Sequence, residues 1–120
     1  MKENSKPSPQ TAPDALDRQS YEMIAELFKV FADASRLSIL HALKGGPKSV
    51  GELVEQLGST QANISKHLRI LNDANILQRE KRGTSAFYSI DDEFIFPLCE
   101  LICDKLNRDS QNRQVLDFSI

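Results

Sequence analysis

In SYEMIAELFKVFAD the apolar residues Met23, Ile24, Leu27, Val30 and Phe31 fall three or four apart, the spacing of one helical face, with Ser20 as a candidate cap. The rhythm resumes after Asp33. In DASRLSILHALKGG, Leu37, Ile39, Leu40 and Leu43 form the stripe of a second helix that Gly45-Gly46-Pro47 stops. Ser49 and Glu52 have the capping-box spacing ahead of a short third helix, VGELVEQLG, which Gly58 ends. Thr60 then caps TQANISKHLRILNDAN, where Ile64, Leu68 and Leu71 recur at helical spacing among polar residues. Two short helices joined by a Gly-containing turn make a helix-turn-helix.

After Asn75 the period drops to two. ILQREKRGTSAFYSI predicts strands Ile76 to Glu80 and Ala86 to Ile90, linked through residues 81–85, with Gly83 supplying the positive φ a tight hairpin often needs. A fifth helix follows, capped by Asp91 or Asp92 and apolar nearly all round through Phe94, Leu98, Ile102 and Leu106. Pro97 near its start means that it begins a residue or two later or bends there. The expected fold is therefore mainly α with a small β-hairpin, a winged helix-turn-helix of five helices plus wing. Residues 1–18, with Pro7, Pro9 and Pro13 among polar residues, are expected to form a mobile arm. Residues 19–108 form the DNA-binding and dimerisation domain, and 109–120 a tail.

At 120 residues, 40% apolar and 27% charged, the composition suits one globular core. No stretch approaches the roughly 20 apolar residues that span a bilayer, and the start lacks a secretory signal, so a cytoplasmic protein with no membrane partner is expected. A net charge of −2 argues weakly against nucleic acid, but the charge is uneven. Between Thr60 and Ser85, Lys66, Arg69, Arg79, Lys81 and Arg82 face only Asp73 and Glu80, while acids cluster after Ile90. Screening over roughly 8–10 Å lets such a local positive surface engage phosphates.

A DNA-reading helix needs an apolar stripe on one side and short polar or basic side chains on the other. The helix capped by Thr60 has both: Gln61 and Asn63 suit base edges, Ser65 suits base or phosphate, and Lys66 and Arg69 suit phosphates. A solvated surface helix would look similar, and a charged hairpin also protects a sheet edge. Neither accounts for the order of the parts, a helix-turn-helix followed directly by a hairpin bearing Arg79, Lys81 and Arg82. Catalysis is not expected: there is no placeable Ser-His-Asp or Cys-His set, no Gly-rich phosphate loop and no HExxH. A winged-helix module for protein contacts is the alternative, and salt-titrated DNA binding separates the two.

The stretch from about Glu26 to Ile90 resembles the ArsR/SmtB family of transcriptional repressors. LFKVFADASRLSILHAL is similar to the family's Arg-Leu-x-Ile-Leu run, TQANISKHLRIL to its recognition helix with Ser-x-His-Leu, and REKRGTSAFYSI to its wing ending in Tyr-x-Ile. The resemblance implies a homodimer held by the first and last helices, recognition helices in successive major grooves of a double-stranded operator, and release by an inducer. It places Gln61, Asn63, Ser65 and His67 at recognition positions and Arg82 and Gly83 at the wing tip. It also marks absences. ELVEQL lacks the Cys pair of the thiolate-rich sites, Asp92 is followed by Glu93-Phe94 where zinc sensors have Asp-x-His, and His41 stands where persulfide sensors have a second-helix Cys.

The apolar last helix independently calls for a partner surface, with Met23, Leu27, Phe94, Leu98 and Ile102 as the expected dimer interface. Cys99 and Cys103, the only cysteines, stand i and i+4 on that helix. Across a dimer axis up to four thiols could meet, suiting a soft metal or metalloid ion such as As(III), or an oxidation switch. Buried free Cys is equally ordinary interface packing. Of the two histidines, His41 is expected to be structural or partly exposed and His67 to meet DNA.

Overall fold

A computed structural model describes residues 16–110 of the chain. Its elements run α1 (Arg18–Phe31), α2 (Ala34–Leu43), β1 (Lys48–Ser49), α3 (Val50–Leu57), α4 (Gln61–Asp73), β2 (Leu77–Arg82), β3 (Ser85–Ile90) and α5 (Ile95–Ser110). The expected arm and tail lie outside the described residues, except for residues 16–18 and the last two residues of α5.

Local chemistry sets most of the boundaries. Asp33 caps α2 by accepting from the Arg36 N–H at 3.1 Å. Ser49 and Glu52 form a complete capping box on α3, whose C-cap Gly58 sits at φ 65°. Thr60 caps α4 by accepting from the Asn63 N–H at 3.1 Å. At the other end of α4, Asn75 adopts φ 63°. Its N–H donates to Asn72 O and the Ile76 N–H to Leu71 O, closing a Schellman turn in which Ile76 and Leu71 are both buried. That turn feeds the chain directly into β2.

The structure corrects two sequence-based boundaries and decides a third. Helix α1 begins earlier than a Ser20 cap implies, because the Asp17 carboxylate accepts from the Ser20 N–H at 2.9 Å. The hairpin strands extend inward, pairing Lys81 with Ala86 and Arg82 with Ser85, so only Gly83-Thr84 remains as the turn, with Gly83 at φ 64°. Helix α5 starts at Ile95, which matches the expectation of a start a residue or two later than an Asp92 cap suggests. Pro97 is then its third residue, where a missing N–H removes no helical bond.

The two-residue strand β1 was not expected. It pairs antiparallel with β3, Lys48 opposite Tyr88 and Ser49 opposite Phe87, giving a three-stranded sheet in the order β1-β3-β2. Ile39, Leu40, Leu53, Ile64, Leu68, Leu71 and Ile95 are fully buried, so the core sits where α2, α3, α4 and the start of α5 meet. No described helix is long and apolar enough to cross a membrane.

Candidate nucleic-acid interface

The buried stripe of α4 fixes which side chains face outward. Ile64 and Leu68 are at most 1% exposed and Leu71 fully buried, while Gln61, Ser65 and Arg69 form one exposed ridge four residues apart, with Ala62 and Lys66 beside it. Asn63 is half-buried, and its amide donates to the Ser59 hydroxyl at 2.9 Å. Gln61 is thus the more exposed of the two candidate base-reading amides. Thr60 is exposed, its hydroxyl engaged in the cap.

His67 is the correction. Expected to meet DNA, it is 4% exposed, because it lies three residues from Ile64 and four from Leu71, on the inward face of α4. Its Nδ1 lies 3.1 Å from Arg36 Nη1, and its Nε2 lies 4.0 Å from Asp33 Oδ1. A guanidinium can only donate, so Nδ1 accepts and the neutral ring carries its proton on Nε2, toward the carboxylate. Burial holds the His67 pKa below its ordinary 6.5, Asp33 opposing this and Lys66 and Arg36 adding to it. Arg36 and Asp33 were missed from the sequence as site residues. The available signal was spacing, since His67 continues the Ile64–Leu71 stripe.

On the wing, Arg79, Lys81, Arg82 and Gly83 are all exposed. Arg82 lies 3.2 Å from Glu80 and over the Phe87 ring at 4.8 Å, which pre-shapes its long side chain at the hairpin end. Arg79 donates to the cross-strand Tyr88 hydroxyl at 3.2 Å. Among the described residues, Lys66, Arg69, Arg79 and Lys81 have no ion pair, leaving four cations for an external anion.

Helices α1 and α5, with Phe94 just before α5, carry the expected interface residues. Met23 is 67% exposed and Ile102 52%, Leu27 and Phe94 are also exposed, and Leu98 is half-buried against the core. Cys99 is buried and Cys103 half-buried, both as free thiols on the wall of an apolar cavity of about 440 Å³ shared with Phe28, Phe31, Leu37 and Ile102. Burial pushes the Cys99 thiol pKa up, with Cys103 adding to it. Among the described residues no three His, Cys, Asp or Glu side chains gather to hold a metal ion.

The chain matches a family model described as bacterial regulatory protein, arsR family, over residues 33–79, which spans α2 through the first half of β2. It is 39% identical over 85 residues to an HTH-type transcriptional regulator of Methanocaldococcus jannaschii, covering 70% of this chain and 96% of that one. It is 40% identical over 79 residues to the arsenical resistance operon repressor of Bacillus subtilis, covering 63% and 75%. The chain belongs to the ArsR family of bacterial regulatory proteins. Its fold matches the crystal structure of the AntR antimony-specific transcriptional repressor with a TM-score of 0.67 and 28% identity, over 86% of this chain and 98% of that one. This ArsR-family chain is thus a DNA-binding transcriptional regulator with a winged helix-turn-helix, not a member of an enzyme family. Lacking a Cys pair in α3, it departs from the family's thiolate-rich pattern there.

Proposed function

We propose that the protein acts in the cytoplasm as a homodimeric repressor. Its α4 reads operator bases through Gln61 and Ser65, with Asn63 in a supporting role, and its wing engages phosphate or minor groove through Lys81, Arg82 and the Gly83 backbone. Thr60, Lys66 and Arg69 position α4 on the backbone. The observation that carries this is the division of α4, whose inner stripe is fully buried while its outer ridge is polar, basic and exposed. The exposed apolar side chains of α1 and α5 support the dimer, which matches a twofold operator.

Cys99 and Cys103 are the proposed inducer contact, acting through the dimer rather than on DNA. Relatives named for arsenical resistance and antimony specificity favour a soft metalloid. The raised thiol pKa of Cys99 means that the ion must displace a proton on binding.

The experiment is a salt-titrated binding assay. Gln61→Ala and Ser65→Ala should erode discrimination between operator and random duplex, each removing a base contact of about 1–3 kcal/mol. Arg82→Ala should weaken both duplexes and flatten the salt dependence. Equal losses on both duplexes for the α4 changes would refute the assignment of the reading ridge. For the inducer, Cys99→Ser with Cys103→Ser should keep operator affinity and abolish release by As(III). An unchanged response would reduce the cysteines to packing.

A further inference from the structure

The Arg36 guanidinium joins three elements. Its Nε donates to Val30 O at 2.6 Å and its Nη2 to Lys29 O at 3.2 Å, two carbonyls in the last turn of α1. Its Nη1 lies 3.1 Å from His67 Nδ1 in α4 and 3.9 Å from Asp33, the cap of α2. Lys29 O also accepts from the N–H of the α1 C-cap residue Ala32 at 3.2 Å, so the guanidinium adds a second donor there, and a cation suits the negative end of the helix dipole. The Arg36 side chain is 13% exposed and that of His67 5%, so the link is shielded from water. Elsewhere between the two helices lies an open groove of about 470 Å³, lined by Met23, Glu26, Leu27 and Val30 of α1 and Ile70, Asp73 and Ala74 at the end of α4.

We propose that Arg36 is a positioning residue, a strut that fixes the DNA-reading helix α4 relative to α1 by holding the α1 C-terminal carbonyls and His67 Nδ1 with one guanidinium. The proposal rests on α4 as the reading helix and α1 as part of the dimer interface. The fork geometry is what an ammonium cannot supply, because its three N–H donors radiate from one nitrogen, whereas Val30 O, Lys29 O and His67 Nδ1 are each met by a different guanidinium nitrogen. If α1 is held by the partner subunit, the strut sets how far apart the two reading helices stand. Its functional output is then the half-site spacing the protein accepts, not its affinity for phosphate.

The test uses full-length protein and duplexes that the wild type selects from a random-sequence library, then altered by one base pair more or less between half-sites. Arg36→Met and His67→Leu should lose the preference for parental spacing by about two- to thirtyfold, the range expected when a coupling residue is removed. His67→Asn, which keeps an acceptor near the Nδ1 position, should retain it. Pure packing predicts the opposite order, since Leu fills a buried site better than a polar Asn. If Arg36→Met fails to fold, the two His67 variants decide by that order. Wild-type spacing preference in both Arg36→Met and His67→Leu, or better performance by His67→Leu than by His67→Asn, overturns the strut. Gln61→Ala is run alongside. If it leaves operator discrimination intact, α4 is not the reading helix and the strut loses its function with it. If it erodes discrimination while spacing preference survives in the strut variants, the strut alone is wrong.

Discussion

In α4 and its surroundings every large apolar side chain of the inner stripe is covered by this chain's own residues, whereas along α1 only Phe31 is buried and Met23, Ile24, Leu27 and Phe28 stand exposed. The two regions are equally helical and equally well capped, so local propensity does not separate them. What separates them is where their apolar faces find cover. The stripe Ile64–Leu68–Leu71 meets Ile39, Leu40 and Leu53 within the protomer, while α1 meets the start of the α5 segment at Phe31 and Phe94, rings 5.6 Å apart, and leaves Met23, Ile24, Leu27, Phe28, Leu101 and Ile102 exposed. A monomer rarely leaves so much contiguous apolar surface in water. The stability of the first region thus belongs to the chain, while the second is the face assigned to the proposed dimer.

The largest expected effect tests the first region. Leu68→Ala should cost about 2–5 kcal/mol of stability, by transfer and cavity terms together, and the loss should not depend on protein concentration. A loss that shrinks at higher concentration would blur the contrast. Next comes Ile102→Asp. Because Ile102 is half exposed in the protomer, the charge should leave the fold intact and oppose the proposed dimer by several kcal/mol, read by sedimentation as a folded monomer. Leu98→Asp is the less discriminating change, since half-buried Leu98 also packs on the core. A dimeric Ile102→Asp protein would refute the assignment of that face.

Smaller still is the α4 cap: Thr60→Ala should cost about 0.5–2 kcal/mol in thermal or denaturant unfolding. The mildest effect is in pH. His67 has its folded pKa below its ordinary 6.5, so the unfolded chain binds more protons between the two values. Its contribution is complete above about pH 6.5 and is lost as pH falls below that toward the folded value. The opposing Asp33 has a lowered pKa, chiefly because it accepts from the Arg36 N–H, so its contribution fades only below 3.8 and occupies a separate window. His67→Asn should flatten the unfolding free energy between pH 7.5 and 5.5, and an unflattened profile would show that the slope has another source.

How much of this was legible in the sequence follows from how local each determinant is. The Ser49–Glu52 box, Thr60, Gly58 and Gly83 act over two to four residues, and each sits in the structure where its spacing places it. The turn at Asn75 is local too, and it marks where the helical period gives way to the strands. Strand β1 was illegible because two residues carry no period, and its existence depends on pairing with Tyr88 and Phe87 some forty positions away. The direction of His67 was legible in principle, from its place in the Ile64–Leu71 stripe. A polar side chain at an inward position is easily assigned outward when its partner, Arg36, is thirty-one residues distant. For α1, the amphipathic pattern states that a face will be covered without stating by what, and it was the family resemblance that assigned Met23 and Leu27 to a partner surface.

The Schellman turn at Asn75 has a consequence for how operators can differ. With the Asn75 and Ile76 amides both bonded back into α4 and Ile76 sealed against Leu71, there is no slack between α4 and the first wing strand. These bonds tie helix and hairpin together like a single caliper jaw. In the proposed dimer, the stretch of duplex that one jaw can grip would then be a constant of the fold, while the distance between two jaws would be set separately, at α1 and the partner subunit. Sites bound by close relatives should therefore keep the length of each arm and diverge in the spacer between the arms.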